Sequence, residues 1–129
     1  MNIGAPALSS TLLFFLSPTC PVCKKLLPIL KSTAASERRW LSIVLASDGD
    51  EPEQRKFIRR AALEPFPYVL STDLGLAYHV SKLPYAVLLD ERGIVRAKGL
   101  VNSREQLESL FTAKDLGVAS IQDFVEQRH

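Results

Sequence analysis

The run Leu12-Leu13-Phe14-Phe15-Leu16 is unbroken in its apolar character, too short for a helix and too hydrophobic for a strand with one wet face. A segment of that kind must be covered on both sides, which is the pattern of a central strand in a layered sheet. Ser17-Pro18-Thr19 ends the run, and from Pro21 the apolar residues Val22, Leu26, Leu27, Ile29 and Leu30 return at helical spacing. Pro28 inside that second stretch predicts a kink or a division of the helix, because proline removes one intrahelical donor. A buried strand feeding directly into a helix points to α/β layering.

The rest of the chain extends this pattern. Residues 41–46 read as a second strand, closed by turn residues 47–50. Pro52 opens a helix running to about Ala62, acidic at its start (Asp50, Glu51, Glu53) and basic at its end (Arg59, Arg60), as the helix dipole favours. A short strand at residues 68–70 and a short helix at 73–78 follow. Residues 85–89 and 94–98 form a hairpin around Asp90-Glu91-Arg92-Gly93, where Gly93 can supply a positive φ. Asn102-Ser103 begins another helix, with Gln106 as the capping-box partner of Ser103, and a last helix is expected from Ser120. The order predicts a central mixed β-sheet with helices on both faces. At 129 residues the chain reads as one domain over 12–129, preceded by an N-terminal segment at 1–11, a truncated or appended start.

Charge excludes one class of partner. The net charge of +2 is far from the dense basic stripe that nucleic acid requires. Arg38-Arg39 and the group Arg55, Lys56, Arg59 and Arg60 are the most basic spots, and without interleaved aromatics they read as solvated faces. No apolar run approaches the ~20 residues of a membrane span. The opening MNIGAPALSS has neither the basic nor the apolar region of a signal peptide.

The only two cysteines, Cys20 and Cys23, lie at the strand-to-helix junction. The first N–H groups of a helix point at such a residue, and the dipole favours negative charge there, so both effects stabilise a thiolate. Cys23 sits one helical turn on, within reach for a small disulfide ring. This is the arrangement of a redox dithiol, with Cys20 attacking a partner disulfide and Cys23 resolving the mixed intermediate. Lys24 opposes the dipole but adds charge that holds a thiolate; it also reads as a plain surface lysine. A structural zinc wants four ligands, and besides the two cysteines the chain has only His79 and His129 of the usual kinds, far apart in sequence and in no ligand-motif spacing, so neither metal nor cofactor is expected. A non-cycling disulfide would close too short a loop to stabilise much. Two unrelated buried thiols are the remaining alternative.

On these residues the chain resembles the thioredoxin superfamily. Cys20-Pro21-Val22-Cys23 is similar to its redox motif, Pro28 to the kink proline of its active-site helix, and Ser81-Lys82-Leu83-Pro84 before a strand to its cis-proline loop. The resemblance implies a thioredoxin-like fold in which that loop faces the dithiol. Leu83, Pro84, Pro21 and Val22 would then contact substrate, Leu83 by strand-like backbone pairing. Thr19, Lys24 and Pro28 would support them. The extra strand and helix between Cys23 and Pro84, with the Asp90 to Val95 hairpin, are similar to the TlpA-like branch of membrane-tethered, periplasm-facing proteins. More narrowly, FFLSPTCPVCK followed by LLPILKS resembles the accessory proteins of methylamine dehydrogenase maturation. That likeness implies a periplasmic oxidoreductase domain of a membrane-anchored parent. It would form, reduce or isomerise disulfides, with the dehydrogenase small subunit as substrate and a separate redox partner.

Four positions depart from the family pattern. Thr19 stands where thioredoxins carry Trp, and Phe14 where they bury an acid. Leu26 replaces a Glu of some TlpA-like reductases, so no carboxylate is placed to take a proton from Cys23. His79 stands where Gly often ends a helix; it reads as a turn residue or as a proton shuttle. Two other functions compete with the dithiol reading. A thiol peroxidase would use Ser17, three residues before Cys20, and a binding or chaperone module would need no chemistry at all.

Overall fold

A computed structural model describes residues 10–116 of the chain. The strands are β1 (Ser10–Phe15), β2 (Leu41–Ser47), β3 (Tyr68–Leu70), β4 (Tyr85–Leu89) and β5 (Val95–Leu100). The helices are α1 (Pro21–Ser36), α2 (Glu51–Arg60), α3 (Thr72–Ala77) and α4 (Arg104–Leu116). They build one sheet of five strands in the order β3-β2-β1-β4-β5. β1 is central, parallel to β2 and antiparallel to β4.

The alternation of side chains along β1 divides the core. Leu12, Phe14 and Leu16 point into the larger half, with Leu26, Leu27 and Leu30 of α1, Phe57 of α2, and Leu107 and Leu110 of α4. Leu13 and Phe15 point to the other side, where Val44, Val87 and Leu89 meet Leu74 and Tyr78 around α3. Burying each of these large side chains is worth roughly 1.5–3 kcal/mol, so covering both faces of β1 is what orders the layers. The mixed sheet with helices on both faces matches the expectation, and the fold is thioredoxin-like.

Several boundaries differ. β1 begins at Ser10, where the Ser10 N–H donates to the Trp40 carbonyl at 2.9 Å and the backbone pairs with Leu41. Pro28 does not divide α1, because the buried Leu26, Leu27 and Leu30 hold the helix across the missing donor. β5 runs on to Leu100, with an irregularity between Leu88 and Leu89. The capping box of α4 is displaced by one residue: Ser103 Oγ accepts from the Gln106 N–H at 3.3 Å, but the Gln106 side chain accepts from the Asn102 N–H. The helix expected from Ser120 lies outside the described residues.

Both α2 and α3 end in a left-handed residue with the paired hydrogen bonds of a Schellman motif. After α2, Ala62 has φ +55°, with Leu63 N–H donating to the Ile58 carbonyl and Ala62 N–H to the Arg59 carbonyl. After α3, His79 has φ +58°, with Val80 N–H donating to the Gly75 carbonyl and His79 N–H to the Leu76 carbonyl. Lys31 of α1 donates its Nζ to the Ala61 carbonyl at 2.6 Å, tying the end of α2 to α1. Trp40 packs edge-on against Phe111 at 5.1 Å, and its indole N–H donates to Glu37.

Candidate active site

The turn after β1 is built by its own side chains. Ser17 Oγ accepts from the Thr19 N–H at 3.3 Å and lies 3.0 Å from Thr19 Oγ1, while the Cys20 N–H donates to the Ser17 carbonyl at 3.1 Å. Cys20 thereby enters with extended backbone (φ −91°, ψ 110°) as the N-cap of α1, and Pro21 takes the first helical turn, where its missing N–H costs nothing. A helix N-cap ordinarily offers an oxygen to the orphan N–H groups. Here the acceptor is sulfur: Cys20 Sγ receives the Cys23 N–H at 3.2 Å.

The two thiols differ in access. Cys20 is half-buried and Cys23 fully buried, both as free thiols. Burial, then the hydrogen bond and charge of Cys20, push the Cys23 thiol up to about 12. Backbone groups of Ser17 and Cys23 oppose this, and no carboxylate is among the groups that act on it.

The sheet register carries the second half of the site. Phe15 at the end of β1 pairs with Tyr85 at the start of β4, so the loop before β4 emerges at the same end of the sheet as the Cys20 turn. The Leu83–Pro84 peptide in that loop is cis. Leu83 is exposed, and so is Val22 on the first turn of α1. Pro84 is buried, its carbonyl accepting from the Val101 N–H at 3.1 Å. Leu83 also borders a cavity of about 230 Å³ with Leu16, Asp48, Thr72, Leu76 and Val80. Thr19 and Lys24 border a different cleft on the α2 side of the thiol. Pro28 lies eight residues beyond Cys20, about 12 Å along the helix, away from the thiols. Exposed His79 closes α3 as a turn residue.

A polar chain in the larger core half was not anticipated from sequence. Tyr68 donates its hydroxyl to Gln54 Oε1, and Gln54 Nε2 donates to the Asp48 carbonyl at 3.0 Å. Burial, with Cys23 adding to it and a Ser47 hydrogen bond opposing, raises the Tyr68 hydroxyl above its usual range. The available signal was Gln54 itself, three and four residues before Phe57 and Ile58 on the buried face of α2. Among the described residues no cluster of three or more His, Cys, Asp or Glu could hold a metal ion. No described helix is long and apolar enough to cross a membrane.

A family model for thioredoxin-like proteins matches residues 9–95, and the chain belongs to that family. Within it, the chain is 48% identical to the methylamine utilization protein MauD of Methylorubrum extorquens, over 99% of its own length and 62% of that protein's. It is 46% identical to MauD of Paracoccus versutus, over 99% and 64%. The chain thus spans less than two thirds of the length of these relatives. Among solved structures it is similar to StoA from Bacillus subtilis, with a TM-score of 0.69 and 26% identity over 81% of this chain and 84% of that one. A secreted Mycobacterium tuberculosis disulfide oxidoreductase shares the fold, with a TM-score of 0.64 and 23% identity over 81% of each chain.

Proposed function

We propose that this chain is a thiol–disulfide oxidoreductase domain that acts on protein disulfides in the periplasm, in the maturation of methylamine dehydrogenase. The observation that carries the reading is the sulfur N-cap: Cys20 Sγ accepts from the Cys23 N–H at 3.2 Å at the start of a 16-residue helix, with its partner thiol buried behind it. The Cys23 N–H is aimed at Sγ, and the sulfur stands at the positive end of the α1 dipole, ahead of its buried partner.

Cys20 thiolate attacks one sulfur of the substrate disulfide, forming a mixed disulfide and releasing one substrate thiolate. Cys23 then gives up its proton and attacks Cys20 Sγ, releasing the second. The substrate leaves reduced and the domain oxidised; the reverse sequence donates a disulfide, and attack on the mixed disulfide by a different substrate thiolate, before Cys23 acts, forms a reshuffled bridge and returns the Cys20 thiolate. Leu83, Pro84, Pro21 and Val22 form the surface against which the substrate segment lies, with Leu83 pairing by backbone. Thr19 and Lys24 flank the nucleophile, and Pro28 shapes the helix. The likeness to proteins named for methylamine utilization supports the assignment of the dehydrogenase small subunit as substrate.

The peroxidase alternative asks Ser17 to face a peroxide, but its hydroxyl is engaged within the turn to Thr19. The test of the proposal is the equilibrium reduction potential of the Cys20–Cys23 couple against a glutathione series. A value near about −270 mV assigns reduction or isomerisation, and one near about −120 mV assigns disulfide donation. Failure to find a reversible couple would leave a non-catalytic binding module.

A further inference from the structure

Beside the thiol lies a second feature, whose α2 residues the exchange chemistry does not use. A cleft of about 550 Å³ opens between the Pro18-Thr19 turn, the first turn of α1 and the exposed face of α2. Its lining includes Thr19, Lys24, Glu53, Lys56, Arg59 and Arg60, four cations against one acid. Among the described residues two ion pairs form, Arg55–Glu51 and Arg96–Asp90, and neither involves a cleft cation.

Helix electrostatics account for only part of this charge. Arg59 and Arg60 stand in the last turn of α2, where cations are favourable. Lys24 stands in the first turn of α1, where a cation is unfavourable. Lys56 and Arg60 are four residues apart on one face of α2, a like-charge pair that disfavours the helix. Arg55, on the neighbouring row, has Glu51 at that spacing and is paired. The four cleft cations therefore converge on one opening at some local expense, and Thr19, immediately before the nucleophile, is part of its wall.

We propose that this cleft binds an acidic segment of the disulfide-bearing partner protein and so presents its disulfide to Cys20. The inference rests on the oxidoreductase reading for the disulfide, but not for the charge. The cations are spread over one turn of α2, about 6 Å from Lys56 to Arg60, and across to Lys24 on another helix. A single small anion would meet one or two of them. Several carboxylates carried along one polypeptide meet them all, and long-range attraction of such a segment raises the rate of encounter.

The test uses two cystine peptides of identical core, one flanked by three Glu and one by three Lys, reacted with the reduced protein. At low ionic strength the acidic peptide is expected to exchange about tenfold faster, and near 0.5 M salt the two rates are expected to converge as screening shortens. Joint replacement Lys56→Glu with Arg60→Glu is expected to abolish or invert the preference. That ratio is taken within one variant, so it does not depend on how much of the variant is folded. Equal rates in the unmodified protein, or a preference that survives the double replacement, would overturn the cleft. So would loss of the preference to millimolar inorganic phosphate, which would make the site one for small anions. Uncharged 2-hydroxyethyl disulfide separates the two readings: if it fails to react, the oxidoreductase assignment falls. The cleft is then judged by fluorescence anisotropy of a cysteine-free acidic peptide, where salt-sensitive binding lost in the double variant upholds it and no binding overturns it.

Discussion

The N–H of Cys23 reaches the sulfur of Cys20 across 3.2 Å, so the sulfur proposed as nucleophile also caps its own helix. The two duties can be separated by substitution. Cys20→Ser keeps a good capping atom, and the variant is expected to match the parent within about 1 kcal/mol while losing disulfide exchange entirely. Cys20→Ala loses the cap as well and is expected to melt lower, by about 1 kcal/mol relative to Cys20→Ser. Paired thermal melts and exchange assays would show it; a Ser variant as unstable as the Ala variant would deny the capping role.

The buried partner predicts an alkaline dependence. With the Cys23 thiol held up to about 12, its thiolate fraction rises about tenfold per pH unit through the neutral range. Resolution of a preformed mixed disulfide on Cys20 is therefore expected to accelerate steadily from pH 7 to 10. In that intermediate Cys20 carries no charge, and burial, the leading cause, still holds the Cys23 thiol above its usual range. Rapid-mixing mass spectrometry follows this step, and a rate flat from pH 7 to 10 would contradict it.

The same thiol links stability to pH. Its folded value lies above the ordinary 9.0, so the neutral thiol is favoured by folding. The contribution is fully present below about pH 9 and is lost as pH rises towards 12, by at most ~1.4 kcal/mol per unit. Urea titrations of the reduced protein from pH 8 to 11 are expected to show this decline, and Cys23→Ala to lack it.

Asp90 works in the opposite direction. Its Oδ1 accepts from the Arg92 N–H at 2.8 Å and the Ile94 N–H at 3.0 Å, and its Oδ2 meets Arg96 Nε at 2.7 Å. The Ile94 hydrogen bond leads the causes that hold this carboxyl below its usual range. Its contribution is present above the usual carboxylate range and is lost as pH falls through the lowered value. Asp90→Asn is expected to reduce the melting temperature at pH 7 and to narrow the gap to the parent near pH 3.

Two helix ends can be improved. Ala62 and His79 both occupy the left-handed region, which strains a side chain with a Cβ. Ala62→Gly is expected to stabilise by about 1 kcal/mol, and His79→Gly by less, since His tolerates that region better. Chemical denaturation decides the order, and a loss in both would show that side-chain contacts outweigh backbone strain.

The features legible in the sequence were those set by neighbours along the chain. The buried strand and the cysteine at the helix start each follow from a few adjacent side chains, whereas the helix end at His79 was legible only through the likeness to the family pattern. Ser10 was not legible as strand because its polarity suggests solvent, yet it is fully buried and pairs through its backbone. Pro28 does not divide α1, since three buried leucines hold the helix together around it. Gln54 and Tyr68 lie 14 residues apart on different elements, and only the closed fold brings the hydroxyl to the amide. The basic cleft is not legible in the sequence, where its cations look like solvated helix faces, because Lys24 and α2 meet only in three dimensions.

The pairing of Phe15 with Tyr85 makes the sheet a ruler for the site. A slip of β4 by one residue would turn Ala86 and Leu88 out of one core half and into the other, so it is strongly resisted. A slip by two keeps every face correct, yet it would carry the Pro84 loop about 7 Å along the strand relative to Cys20. Such a molecule would retain its layers and its buried leucines while the two halves of the proposed site no longer met. Correct assembly of the proposed site is thus a question of strand alignment, decided far from either sulfur.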